Sequence, residues 1–346
     1  MSERLRWTPL HARLHRILRQ RRLLPENQNL LVAVSGGQDS LCLIKLLLDL
    51  QQKWRWKLAI AHCDHRWPSD DGMAEHVQQL ARDWSVPFYL TVASEVKTSE
   101  ASARQWRYQA LTEIAQTHHY QIIVTGHTKS DRAETILYNL MRGAGADGLQ
   151  SLTWQRPLTQ GLQLVRPLLD TMRSETFEFC QQQRLTIWED SYNQNLNYAR
   201  CRIRQELLPY LKTHFNPQVE TALARTAELL HADVEYLESM AQELRQQATI
   251  PLSERTQNIE QGKSSAYDTL QLNRLVLRQA SLCLQRRVIR QVLKDVQPSA
   301  ASFEQIEEIT ALITAPNRSR TSSFPGGVTA IVDGNWIILQ FKRQKL

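Results

Sequence analysis

Cysteine is too sparse and too scattered in this 346-residue chain to do collective chemistry. The five cysteines, Cys42, Cys63, Cys180, Cys201 and Cys283, include no Cys-x-x-Cys pair, which argues against a zinc knuckle and a redox dithiol. Isolated thiols suit a reducing compartment. Long apolar runs are missing too. No segment approaches the roughly 18 apolar residues of a membrane span, and Met1-Ser2-Glu3-Arg4-Leu5-Arg6 has no apolar signal core. The expectation is a cytoplasmic protein with no membrane partner. No internal repeat or low-complexity tract is apparent.

The remaining composition is that of a folded chain. Hydrophobic residues make up 42%, enough at this length for one large core or, as we read it, two domains. Lys and Arg total 42 against 35 Asp and Glu, a formal net charge of +7. That excess is compatible with a polyanionic partner without requiring one.

One string stands out: Ser35-Gly36-Gly37-Gln38-Asp39-Ser40. Leu30–Val34 before it reads as a buried strand, and Leu41–Leu50 after it as a helix. Two glycines allow a tight turn whose successive N–H groups converge on one anion at a helix N-terminus, and Ser35 and Ser40 add hydroxyl donors. Asp39 is the odd member, because a carboxylate beside phosphate calls for a cation between them, most simply Mg²⁺. A plain strand–turn–helix junction with a serine cap would need only part of this string. No Gly-Lys-Ser/Thr follows at Walker A spacing. The string instead resembles the signature of the PP-loop ATP pyrophosphatases, which implies release of pyrophosphate and activation of a substrate as its adenylate.

Leu58–His62, Phe88–Val92 and Gln121–Thr125 read as further strands, and Met73–Trp84, Ser102–His118 and Ser130–Arg142 as helices. This alternation predicts an α/β fold with a parallel, doubly wound sheet and ligands at the carboxyl ends of its strands. Beyond about residue 215 the pattern changes. Pro217–Gln247 and Leu270–Val296 read as helices, the second carrying Arg274, Arg278, Arg286, Arg287, Arg290 and Lys294. Ala248–Asp268 reads as a polar linker, and Gly327–Val332 and Trp336–Phe341 as a hairpin about Asp333-Gly334-Asn335. The expected domains are 1–215 and a smaller, mainly helical 216–346.

Five further strings carry polar chemistry. Ala61-His62-Cys63-Asp64-His65-Arg66 ends the second strand; its His-x-x-His lacks the further ligands of a zinc site, and nucleotide contact competes with a simple polar strand end. Arg104 and Arg107 are three apart on one helix face and offer two planar forks to phosphate, or form a solvated surface. In Thr125–Thr135, His127, Asp131 and Glu134 share a face near a helix start, where two acids could accept an ammonium, help hold a metal, or merely complement the helix dipole. Met141–Leu149, with Arg142 and three glycines, is a loop able to approach a ligand or a simple helix end, and Arg200, Arg202 and Arg204 form a basic cluster.

In their order and spacing these strings resemble the bacterial tRNA(Ile)-lysidine synthetases, a PP-loop family. The match is carried by Ser35–Ser40, His62/Asp64/His65, Arg104/Arg107/Tyr108, Gly126/His127/Asp131/Glu134/Thr135, Arg142/Gly143/Gly145/Gly148/Leu149, Val165–Leu169, Asp190/Asn193 and Arg200/Ile203/Arg204. It spans about residues 30–210; the later part is similar only in general plan, a tRNA-binding domain ending in a hairpin. The resemblance implies a ligase forming a carbon–nitrogen bond. ATP adenylates the C2 oxygen of the wobble cytidine in the isoleucine tRNA with a CAU anticodon. Free L-lysine then attacks C2 and expels AMP, which changes the codon read from AUG to AUA. The family roles carried over are ATP binding by Ser35, Gly36, Gly37, Gln38, Asp39, Ser40, His62, Gly126 and Arg142, with Mg²⁺ on Asp39. Asp39, Arg107 and His127 would be catalytic, Asp131 and Glu134 would bind lysine, and Arg200 and Arg204 would bind tRNA. A homodimer is left open.

Three places depart from the family pattern: Trp67-Pro68 stands for Leu-Arg, Tyr192 for serine and Cys201 for asparagine. The alternatives are a sulfur-inserting PP-loop tRNA enzyme, which the lack of paired cysteines disfavours, and a PP-loop amide ligase that works without RNA. A non-catalytic RNA-binding module is the third, and it would have no use for Asp39, Asp131 and Glu134.

Overall fold

The computed structural model describes residues 7–96, 99–188, 195–249, 267–297 and 299–342. The chain forms two compact units, Met1–His231 and Ala232–Leu346, dividing within a long helix beyond the position near 215 expected from the sequence. Asp190, Tyr192 and Asn193, and most of the expected linker, lie outside the described residues.

The first unit runs α1 (Pro9–Gln20), β1 (Asn29–Ala33), α2 (Gln38–Trp54), β2 (Lys57–Asp64), α3 (Met73–Asp83), β3 (Phe88–Val92), α4 (Glu100–Thr117), β4 (Ile122–Thr125) and α5 (Lys129–Met141). It continues with α6 (Ala146–Leu149), β5 (Gln155–Thr159), β6 (Leu162–Val165), α7 (Arg173–Gln182), α8 (Ala199–Arg202) and α9 (Leu208–His214), and α10 (Val219–Ala248) begins in it. The strand order is β3-β2-β1-β4-β6-β5, parallel except for β5, which runs antiparallel to β6. The expected α/β architecture is present, with seven segments the sequence reading had not assigned: α1, α6, β5, β6, α7, α8 and α9.

Side chains of successive strand residues point to opposite faces. Leu30 and Val32 of β1 and Val124 of β4 pack on one side with α1, α2 and α7. Leu31 and Ile123 pack on the other with Leu111, Ile114 and Ala115 of α4. Burial on both faces explains why these strands read as continuous apolar runs. Helix α2 buries Leu41, Cys42, Leu43, Ile44, Leu46, Leu47 and Leu50, because α1 and α7 share a core with it on the side away from the sheet. The chain adds β2 and β3 on one side of β1, then crosses to place β4 on the other. That reversal opens a crevice at the carboxyl ends of β1 and β4.

The second unit holds the rest of α10, then β7 (Tyr267–Asn273), α11 (Arg274–Arg278), α12 (Leu282–Val296), α13 (Phe303–Leu312), β8 (Thr329–Asp333) and β9 (Trp336–Lys342), with the sheet order β7-β9-β8. The hairpin is where the sequence placed it. The single helix read over Leu270–Val296 is corrected: its first residues are strand β7, paired with β9 from Tyr267 opposite Lys342 to Asn273 opposite Trp336. Leu270 and Leu272 alternate with Thr269 and Gln271, a period-2 signal too short to show beside the helix. Asn273 then ends the strand and caps α11, accepting from Leu275 N at 3.0 Å. The α12 arginines meet carboxylates within this unit. Arg286 grips Glu307 at 2.6 and 2.8 Å, and Arg287 and Arg290 both pair with Glu238. No helix among the described residues is long and apolar enough to cross a membrane.

Candidate active site

A cavity of about 360 Å³ lies at the carboxyl ends of β1, β2 and β4, walled also by side chains from α4, α7 and α8. The Ser35–Ser40 turn forms its floor. Gly36 has φ +85°, and a Cβ there would come within 3.3 Å of both the Met73 and Trp188 side chains. Ser40 Oγ accepts from Ser35 N at 3.1 Å and donates to Gly37 O at 2.9 Å, closing the turn. Gly37 is the N-cap of the 17-residue α2, and no side chain caps that helix. Uncapped amides at the positive end of a helix dipole are the arrangement an anion completes.

Asp39 stands in the first turn of α2. Thr176 Oγ1 donates to its Oδ1 at 2.5 Å, and Arg173 lies 3.5 Å from Oδ2. Burial pushes the Asp39 carboxyl up to about 6; Arg173 opposes the rise and Asp131 adds to it. Among the described residues no three His, Cys, Asp or Glu side chains are grouped to hold a metal. A single carboxylate beside a phosphate turn fits Mg²⁺, which prefers one or two carboxylates plus nucleotide oxygens to an all-protein cage.

Gly126 brings the second string against the first. A Cβ there would sit 2.8 Å from Asp39 O and 3.0 Å from Ser40 N, both backbone atoms. Gly126→Ala should therefore cost about 1–3 kcal/mol through overpacking. Where the clash is relieved by shifting the Asp39–Ser40 backbone of the phosphate turn, ATP binding should weaken as well, by about five- to a hundredfold for 1–3 kcal/mol of lost phosphate contacts. Calorimetric ATP titration beside a thermal midpoint would show both; unchanged ATP affinity and midpoint would refute this close approach.

Thr128 caps α5 in a reciprocal box with Asp131, whose Oδ2 accepts from Thr128 N at 2.7 Å and Thr128 Oγ1 at 2.8 Å. Burial raises the Asp131 pKa, but the Arg204 charge and the Thr128 amide hydrogen bond, with Arg173 adding to them, outweigh it and hold the carboxyl below its ordinary value. Its Oδ1 lies 3.5 Å from Arg204 Nη2. Glu134, one turn on, is 2% exposed and spends both oxygens on Arg204, at 2.6 and 2.8 Å. Burial keeps its pKa above the usual value despite that pairing.

Three histidines are kept neutral by burial. His127 is pushed well below its ordinary range, with Nδ1 hydrogen-bonded to Thr125 Oγ1 at 2.9 Å. His62 is 1% exposed; its Nδ1 donates to Val34 O at 2.7 Å, leaving a buried Nε2 with no hydrogen-bond partner among the described residues. His65 is pushed down to about 4 by burial and by Arg107, and stacks on Trp67 with ring centroids 4.7 Å apart.

Of the residues singled out in the sequence, Ser35, Gly37, Gln38, Asp39, Ser40, His62, Arg107, Gly126, His127, Asp131, Arg200 and Arg204 line this cavity. Gly36 supports the turn from behind, and Glu134 stands behind Arg204. Arg142 is not brought to the wall: it is exposed, and its Nη1 donates to Tyr138 Oη at 3.1 Å. Sequence reasoning missed Arg173 and Thr176 on Asp39, and Trp67, Trp188 and Tyr198 in the wall. Arg173 did leave a trace, since a cation in the first turn of a helix opposes its dipole.

Fold and site together define a PP-loop protein: residues 8–211 match the family described as PP-loop domain. Residues 272–335 match the TilS substrate binding domain. The chain is 62% identical over 335 residues to a tRNA(Ile)-lysidine synthase from a Nostoc species, covering 96% of this chain and 97% of that one. It is 50% identical over 339 residues to the Synechocystis protein of the same name, with the same coverage. The chain belongs to the tRNA(Ile)-lysidine synthase family. Among solved structures, the U34-tRNA thiolase NcsA from Methanococcus maripaludis superposes with TM-score 0.52 at 16% identity, over 64% of this chain and 78% of that one. At that identity the likeness is one of fold.

Proposed function

We propose that this chain works in the cytoplasm as a tRNA(Ile)-lysidine synthase, using ATP with Mg²⁺ to join free L-lysine to C2 of the wobble cytidine in the isoleucine tRNA with a CAU anticodon. The observation that carries the reading is the division of one cavity. It holds an uncapped phosphate turn at the start of α2 and, facing the same space, an ionised Asp131 suited to an ammonium group.

The Ser35–Ser40 amides and hydroxyls hold the ATP phosphates, and the unpartnered His62 Nε2 is an acceptor for a donor on the nucleoside. The cytidine C2 oxygen attacks the α-phosphorus, an O–P bond forms and pyrophosphate leaves. Arg107 meets the charge that develops on that phosphate. Mg²⁺ held by Asp39 and phosphate oxygens would neutralise charge on the departing pyrophosphate.

Lysine enters with its ammonium on Asp131, while Glu134 acts from behind through Arg204. The ε-amine has an unperturbed pKa of about 10.4, so it must shed a proton before it can attack. The neutral His127 imidazole, in the same wall, is our candidate acceptor. The C–N bond then forms, the C–O bond breaks and AMP departs. Arg200, in the same cavity wall, would take a phosphate of the RNA.

AMP formation should be measured with ATP alone, with lysine, with the CAU isoleucine tRNA, and with both. Turnover should need both; AMP produced with lysine but no RNA would favour an amide ligase and overturn this reading.

A further inference from the structure

We propose that Arg104, Arg156 and Arg166, clustered on Tyr108 beside the ATP-facing Arg107, form a binding site for backbone phosphates of the RNA, separate from the turn that takes the ATP phosphates. Arg104, Arg107 and Arg156 place their guanidinium carbons 5.0, 5.8 and 5.0 Å from the Tyr108 ring centroid. Arg166 stands beside them with only 1% of its surface exposed; its Nη1 donates to Thr153 O at 2.8 Å, and its Nε has no hydrogen-bond partner among the described residues. None of these four arginines pairs with a carboxylate among the described residues. The contrast lies within the same wall, where Arg173 has Asp39 and Arg204 has Glu134.

Gathering cations without a counter-charge is unfavourable, and burying one is more so. The ring quadrupole of Tyr108 attracts guanidiniums without neutralising them. The local potential shows on the groups themselves. Burial would raise the Tyr108 phenol, yet Arg104, Arg107 and Arg166 draw it down to about 8. Burial, with Arg107 and Arg200 adding to it, pushes Arg104 down to about 10. Such a cluster is complete only when an anion sits on it.

The layout points to a polymer. Arg104 and Arg107 line the cavity, whereas Arg156 is outside its wall on β5, the edge strand of the sheet. A free nucleotide keeps its phosphates together on the turn. An RNA that inserts one nucleotide leaves its flanking phosphates outside, where planar guanidinium forks can take them pairwise. The assignment rests on tRNA being the substrate.

The test uses full-length Arg104→Gln and Arg156→Gln proteins. Binding of a non-hydrolysable ATP analogue is measured without RNA, and binding of the CAU tRNA transcript is measured across a salt series. Each variant should keep ATP-analogue affinity within about twofold, bind tRNA about three- to tenfold more weakly, and lose about one from the log–log salt slope. Unchanged tRNA affinity and slope would overturn the proposal. So would an ATP-analogue loss matching the tRNA loss, which would make the cluster an ATP site. Thermal midpoints guard against misfolding, and Tyr108→Phe, which keeps the ring, should retain the tRNA affinity that Tyr108→Leu loses. Wild-type AMP formation with lysine and tRNA, run in parallel, tests the functional reading by itself.

Discussion

Replacing Asp39 by asparagine is expected to abolish turnover and, in the ligand-free protein at neutral pH, to raise stability. The first effect follows from metal binding. Charge stabilisation by a bound cation is worth several kcal/mol, so a neutral amide in its place should reduce AMP formation by about 10³-fold or more. The second follows from burial. The fold raises the Asp39 pKa from 3.8 to about 6, which means that the folded state disfavours the carboxylate. At pH 7 that costs up to about 3 kcal/mol, at 1.36 kcal/mol for each pKa unit. As pH falls through about 6 the folded wild type takes up the proton first, so the penalty fades, and it is gone below the unfolded value of 3.8. Midpoints of wild type and Asp39→Asn should therefore differ most above pH 7 and converge between about pH 6 and pH 4. Parallel denaturation curves at these pH values check the sign; a variant less stable at every pH would show that the pairing with Arg173 and Thr176 outweighs burial.

Asp131→Asn is expected to raise the KM for lysine about ten- to a hundredfold, the 1.5–3 kcal/mol typical of a hydrogen bond to a charged group, while the KM for ATP moves less than about twofold. The fold should tolerate the change, because an asparagine oxygen can still accept from the Thr128 amide that now donates to Asp131. Steady-state kinetics varying each substrate at saturation of the other would separate the two constants. If both rose together, Asp131 would belong to the nucleotide rather than to lysine.

The strands β1 to β4 and the turns after β1 and β4 could be read from the chain because their causes are local. An apolar run buried on both faces looks the same wherever it lies. A Ser-Gly-Gly turn needs only its own φ angles, and the Thr128–Asp131 box closes within four residues. Strand β7 could not, since its few alternating residues become a strand only when β9 pairs with them. Helix α7 was overlooked for a similar reason: its identity matters only once Arg173 and Thr176 reach Asp39.

The sequence alone, without a single coordinate, placed the phosphate turn, Asp39, His127 and Asp131 in one chemical setting, because short-range backbone rules and residue chemistry suffice for that. Tertiary structure decided how each group is used. It set Glu134 behind Arg204, left Arg142 outside the cavity, and gathered Arg104, Arg107, Arg156 and Arg166 around one tyrosine with no acid pairing them among the described residues. Those outcomes depend on burial and on contacts between residues far apart in the chain, which set solvation and charge and have no local signature.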